Sequence, residues 1–140
     1  MKDKENTKFK FLDHTADIKF QAFGESLEEA FENSAMALKE VMFGEAKVKD
    51  KIKKKFEVEG KDDSALLYRF LEQFLYMLDA ENFMFNKVKI SIDRNILRAT
   101  ATGDNATDYK FTNDVKAITY NQMFVKEEAG KVVVQVVLDV

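Results

Sequence analysis

The side chains with the means to do chemistry in this chain are few, and most are carboxylates. The single histidine, His14, stands in the run Asp13-His14-Thr15-Ala16-Asp17, and a further acid closes the sequence in Val137-Leu138-Asp139-Val140. Cysteine is absent, which excludes disulfides and thiolate metal sites. An imidazole between acids could be oriented as a general base. Yet no second histidine, no cysteine and no glycine-flanked serine accompanies it, so a catalytic triad lacks its parts. His14 is therefore read as a structural histidine that hydrogen-bonds a turn, and no catalytic residue is assigned. The five glycines are scattered singly, so there is no glycine-rich phosphate loop and no cofactor pocket to assign.

The two aspartates gain interest from strand parity. Ile18, Phe20 and Ala22 alternate with Lys19 and Gln21, the period of a half-buried strand. Val132, Val134, Val136 and Leu138 alternate in the same way near the other end. If these two strands pair antiparallel, the start of the first lies beside the end of the second. Asp17 and Asp139 then share the face opposite the core. With Val140 taken as the end of the chain, its α-carboxylate adds a third negative group. Two carboxylates ~4 Å apart repel by ~4 kcal/mol at the effective dielectric near a protein surface. A hard divalent cation relieves that repulsion, and oxygen-only donors suit Ca²⁺ or Mg²⁺ rather than Zn²⁺. The plainer reading, two solvated strand ends with Lys19 for a neighbour, is the one that the residues alone favour.

The elements that must position these acids are legible along the chain. A short strand, Phe9 to Leu12, precedes the acidic corner, and the strand from Ile18 ends at Gly24. Ser26-Leu27-Glu28-Glu29 fits a capping box for a helix over residues 26–42, with Gly44 just past its end. A strand around Ile52–Glu59 leads through Gly60 and Asp62-Asp63 to a second helix, 63–79. Its face of Leu66, Leu67, Phe70, Leu71, Phe74, Leu75 and Leu78 should centre the core. Strands near 85–92 and 96–102 follow, joined by a tight turn at Asp93-Arg94-Asn95. The polar stretch Gly103 to Asp114 reads as a loop. The last two strands, about 116–126 and 131–139, flank Glu127 to Gly130 as a hairpin.

These elements predict one α+β domain over residues 1–140, with two helices packed on mostly antiparallel sheet. Residues 52–102 read strand–helix–strand–strand, and 17–42 with 116–139 read the same. One such unit is therefore expected to be inserted in another. The thirteen phenylalanines and 46% hydrophobic content supply a sizeable core. Charged residues make up 34% of the chain, but the net charge is only −3. That balance gives no global pull toward nucleic acid or anionic membrane. The basic run Lys47 to Lys55 could touch RNA or an acidic partner, but such runs more often form a solvated loop or protect an edge strand. Tyr120, Asn121 and Gln122 are read as lying on a strand. The charged start and the lack of a ~20-residue apolar stretch lead to the expectation of a cytoplasmic monomer with no membrane partner.

Several of these segments together resemble one family. Asp13-His14-Thr15-Ala16-Asp17 looks like the DHTAD hallmark of the archeases. Ser26-Leu27-Glu28-Glu29-Ala30-Phe31-Glu32 resembles their first-helix block. Leu66 to Asp79, Lys116-Ala117-Ile118-Thr119-Tyr120 and the terminal Val137-Leu138-Asp139-Val140 match later blocks in order. The resemblance covers nearly the whole chain. It implies a non-catalytic protein cofactor that promotes guanylylation and multiple turnover of the GTP-dependent RtcB-type ligase of tRNA splicing. It further implies a metal site at Asp17, Asp139 and Val140, with Ca²⁺ the usual ion. One position departs from the pattern: many members carry His after Thr119-Tyr120, where this chain has Asn121. The alternative role is a chaperone-like modulator of RNA-processing enzymes such as a tRNA methyltransferase. A stand-alone enzyme is disfavoured for want of a nucleophile and base.

Overall fold

The computed structural model describes residues 7–13 and 16–140. His14 and Thr15 lie outside the described residues, and with them the structural role expected of His14. Among the described residues seven strands and two long helices follow in the order β1 (Phe9–Leu12), β2 (Ile18–Gly24), α1 (Leu27–Phe43), β3 (Ile52–Glu59), α2 (Asp63–Glu81), β4 (Phe83–Asp93), β5 (Ile96–Asn105), β6 (Ala117–Glu128) and β7 (Lys131–Asp139). The fold is α+β, as the alternation of strand and helix patterns predicts.

Local chemistry explains the helix limits. The Ser26 hydroxyl accepts a hydrogen bond from the Glu29 N–H at 3.1 Å. The Glu29 carboxylate in turn accepts from the Glu25 N–H at 2.6 Å, one residue earlier than a standard capping box places it. In α2 the Asp62 carboxylate accepts from the Ala65 N–H at 2.8 Å, and Asn82 ends the helix in a left-handed conformation.

Two antiparallel sheets result, with strand orders β1-β2-β7-β6 and β3-β5-β4. In each, the strand before a helix lies beside the last strand of its unit, so β2-α1-β6-β7 and β3-α2-β4-β5 share one strand order. Helix α1 packs on β2 and β4, and α2 on β6, β4 and β3, so both helices bridge the sheets. Their aromatic faces meet in a continuous core. Phe31 stacks on Phe70 with centroids 6.0 Å apart, and Phe74 stacks on Phe85 at 4.1 Å.

Two local readings are revised, and a strand read correctly at Tyr120 to Gln122 proves irregular in its pairing. The stretch after Thr102 is not all loop: β5 runs on through Gly103, Asp104 and Asn105, paired with Phe85, Met84 and Phe83. Glycine and acid are poor strand formers, which hid this extension. Ala106–Asp108 then form a single 3₁₀ turn. Tyr120 to Met123 do not continue a regular ladder. The β6–β7 register jumps from Thr119↔Val137 to Phe124↔Gln135, so these four residues bulge.

A network clamps the β3 approach to the end of β5. The Asp104 carboxylate is buried and accepts from the Tyr109 hydroxyl at 2.8 Å, while that hydroxyl oxygen accepts from the Lys49 N–H at 3.1 Å. Asp50 accepts from Asn86 at 2.9 Å and from the Thr102 hydroxyl at 2.8 Å. These bonds hold both carboxyls below their ordinary value of 3.8, chiefly through Asn86 for Asp50 and Tyr109 for Asp104.

Two outcomes follow from this packing. A β-carbon on Gly103 would collide with the backbone of Met84 and Phe85, so Gly103→Ala should lower unfolding free energy in urea by ~3 kcal/mol. Because the folded pKa values of Asp50 and Asp104 are depressed, their contribution is complete above the ordinary carboxylate value. It is lost as pH falls below that value and through the folded pKa. Urea midpoints measured down an acid series should therefore fall, and the fall should be shallower in Asp50→Asn and Asp104→Asn.

Candidate functional site

The acidic residues at the two ends of the chain are brought together by the β2–β7 ladder. It pairs Ile18 with Leu138, Phe20 with Val136 and Ala22 with Val134, all in antiparallel register. Asp17 and Asp139 each stand one residue past the Ile18↔Leu138 pair, at the same end of the sheet. Cβ atoms at directly opposed positions of such a ladder lie ~4.5–5.5 Å apart. Asp17 is half-buried and Asp139 is exposed. Strand β6 closes the other flank: Ala117 pairs with Asp139, and the Lys116 N–H donates to the Asp139 carbonyl at 2.7 Å. The Val140 side chain packs against the core, which ties down the main chain at that residue.

Neither carboxylate has an ion-pair or hydrogen-bond partner among the described residues. Lys19, the cation that sequence proximity sets beside them, instead donates to the Gln122 amide oxygen at 3.0 Å. That contact belongs to a chain of polar bonds under the β6 bulge. Gln21 donates to Gln135 at 2.9 Å, and Gln135 donates to the Gln122 carbonyl at 2.8 Å. The bulge therefore engages the basic and amide side chains of this sheet face and leaves the acids at its end.

Further acids gather on the inner side. A shallow groove of about 400 Å³ is lined by Phe11, Asp13, Asp17, Glu40 and Asn113, among others. Glu40 stands in the last turn of α1, a helix end that carries partial negative charge and has no basic residue in its final turn. Asn113 donates to the Val41 carbonyl at 2.9 Å and so pins the segment before β6 to that helix end. Glu40, Asn113 and the exposed Phe11 were not singled out in the sequence. Glu40 and Asn113 carry no local signal, since each lies far along the chain from the acids it joins.

The donor chemistry at this end is oxygen alone. Among the described residues no three histidine, cysteine, aspartate or glutamate side chains converge. The protein's share of any coordination here is thus two carboxylates and main-chain oxygen, a set that fits a hard cation and not a thiophilic one. No helix among the described residues is long and apolar enough to cross a membrane.

Comparison with known proteins agrees with this architecture. Residues 9–140 match the family described as the Archease protein family (MTH1598/TM1083). The archease of Sulfolobus acidocaldarius is 40% identical over 138 residues, covering 96% of this chain and 99% of that protein. The archease of Pyrococcus furiosus is 39% identical, covering 91% and 95% respectively. The solution structure of Methanobacterium thermoautotrophicum protein 1598 superposes with a TM-score of 0.84 at 36% identity, covering 95% of this chain and 99% of that one. The Thermotoga maritima archease, described as a possible chaperone, shares the fold with a TM-score of 0.69 at 19% identity, covering 92% and 94%. With its acidic corner, its nested strand order and its matched length, the chain belongs to the archease family.

Proposed function

We propose that this protein is a non-catalytic activator of a GTP-dependent RNA-splicing ligase of the RtcB type, acting through a hard-cation site at Asp17, Asp139 and Val140. The observation that carries the reading is the pair of carboxylates left without a partner among the described residues where the two ends of the domain meet. Membership of the archease family supports this choice of target. Ca²⁺, or Mg²⁺ in its place, would supply there a concentrated positive charge that phosphate and carboxylate oxygens can join as ligands. Asp17, just before β2, and Asp139, at the end of β7, would hold the ion, and the packed Val140 side chain keeps the main-chain oxygens of that residue within the same end. Phe11, 45% exposed beside the acidic groove, offers an apolar contact to a ligase surface. The tip would thereby enter the ligase active site and adjust metal or nucleotide placement while the ligase's own histidine is guanylylated.

A second reading is a chaperone-like modulator of RNA-processing enzymes such as a tRNA methyltransferase. It draws support from an exposed aromatic away from the acidic end, Tyr76 on α2 at 55%. The description of the Thermotoga maritima relative points the same way. The two readings part on the acids: chaperone-like action is indifferent to Asp17 and Asp139.

Amide spectra recorded while Ca²⁺ and then Mg²⁺ are added should shift at Asp17, Asp139 and Val140. Shifts spread evenly over the surface, or none, would return both acids to solvated strand ends. In a ligation assay with limiting ligase, the protein should raise turnover. Asp17→Ala, Asp139→Ala or a peptide extension after Val140 should each cut that stimulation by about tenfold or more. Stimulation intact in both alanine variants would refute the tip mechanism.

A further inference from the structure

Arginine is scarce in this chain, three residues against nineteen lysines. Arg98 is held by Glu57 at 3.2 Å. The other two, Arg69 on α2 and Arg94 in the β4–β5 turn, line a broad groove of about 870 Å³ together with Lys61, Asn95 and Tyr120. Neither Arg69 nor Arg94 is ion-paired among the described residues. Tyr120 lies flat on Tyr68, with ring centroids 4.3 Å apart and planes at 7°, yet it is 55% exposed. The β6 bulge sets it there, and Gln122 in that bulge has φ 58, a left-handed value that a side-chain-bearing residue resists. Arg94 has φ 54 for the same kind of reason, at the first central position of the tight hairpin turn. The groove thus has a planar aromatic platform on one rim and free guanidinium groups around it.

The lining argues for the class of ligand. Only Val58 and Ala65 add aliphatic surface, so the groove lacks the apolar pit in which a protein partner's anchor residue seats. Glu57 and Glu59 are the acids present, and Glu57 is already engaged by Arg98. Past that pair the outward face of the three-stranded sheet becomes basic. Cross-strand register aligns Lys53, Thr102 and Lys87 in one row and Lys55, Thr100 and Lys89 in the next. The rows lie ~6.7 Å apart along the strands, and the outer lysines of a row lie ~9.6 Å apart across them. Lys87 meets Asp50 at 3.6 Å, whereas Lys53, Lys55 and Lys89 have no ion pair among the described residues. Lysines on β3 and β4 also guard the two edges of this sheet, but the free cations continue in register from the arginine-lined groove. A block of one sign, in a chain whose net charge is −3, indicates a polyanion. Lysine is depleted at protein–protein interfaces and is at home on phosphates.

We propose that the groove and this sheet face form one track for single-stranded nucleic acid. A base stacks on the open side of Tyr120, Arg69 and Arg94 take the adjoining phosphates, and the strand continues past Arg98 over Lys55, Lys89 and Lys53. A duplex presents no free base face to Tyr120, so an unpaired strand is the preferred ligand. The track uses none of Asp17, Asp139 and Val140, and it stands or falls without any ligase.

The test is fluorescence anisotropy of a labelled single-stranded RNA oligonucleotide, with a blunt RNA duplex and poly-glutamate as competitors, across a salt series. The wild-type protein should bind the single strand with log K falling linearly in log salt, at a slope of ~−0.7 per phosphate neutralised. The double variant Arg69→Ala/Arg94→Ala should bind at least about tenfold more weakly with a slope shallower by ~1.4. Tyr120→Ala should lose about tenfold with its slope unchanged, and Tyr120→Phe should retain binding. Lys55→Glu/Lys89→Glu, at exposed positions that leave the core untouched, should also weaken binding and flatten the slope. The proposal is overturned by absence of binding at 50 mM salt, by equal affinity in the arginine variant, or by poly-glutamate or duplex competing as well as the single strand. Asp17→Ala should bind as the wild type does; loss of binding there would place the nucleic acid at the acidic end and overturn the track.

Discussion

Strands β2 and β7 come from opposite ends of the chain, and their ladder runs through seven residue pairs, from Ile18↔Leu138 to Gly24↔Val132. Phe20, Ala22, Val134, Val136 and Leu138 are all buried on its inner face, against α1 and the core beyond it. A slip of one residue would turn every one of them to the opposite face, so burial fixes the register. The register in turn fixes which groups stand at the end of the ladder. Asp17 and Asp139 are neighbours because Phe20 and Val136 must be.

That dependence explains why this corner could be reasoned out from parity, while other parts could not. Alternation along Ile18–Ala22 and Val132–Leu138 carries the face of each residue, and the pairing needs only the assumption that the two strands are adjacent. The helices were legible because Ser26 and Asp62 offer side-chain caps beside strong apolar periodicity. The end of β5 was hidden because Gly103 and Asp104 serve it for tertiary reasons: one lets β4 press close, the other accepts the Tyr109 hydroxyl. The bulge at Tyr120 to Met123 was hidden as well. Nothing in Tyr-Asn-Gln-Met breaks a strand pattern, and what bends it is partners elsewhere, Tyr68 on α2 and Lys19 and Gln135 on the sheet. Glu40 and Asn113 join the acidic end for the same non-local reason.

The near balance of charge conceals a strong separation. Asp13, Asp17 and Glu40 line one groove where α1 ends, and Asp139 stands beside Asp17 at the end of the β2–β7 ladder. Lysines collect on the outward rows of the second sheet, where alternation puts Lys53, Lys55, Lys87 and Lys89 opposite Phe56, Val88 and Ile90 on the core side. A net charge near zero therefore conceals local patches of either sign, and arguments from overall charge speak only to distant encounters.

The two sheets differ sharply in how much chain each must close. The β3-β5-β4 sheet is assembled within residues 52–105. The β2–β7 ladder joins residues as far apart as Ile18 and Leu138. Loop-closure entropy makes that ladder the more expensive contact, and prior folding of the intervening residues shortens the effective loop it must span. The opposed carboxylates are in proximity only when this longest-range ladder is complete. An ion captured between them would bind the finished fold and not its precursors, and so would act as a reporter of completion and a modest stabiliser of it.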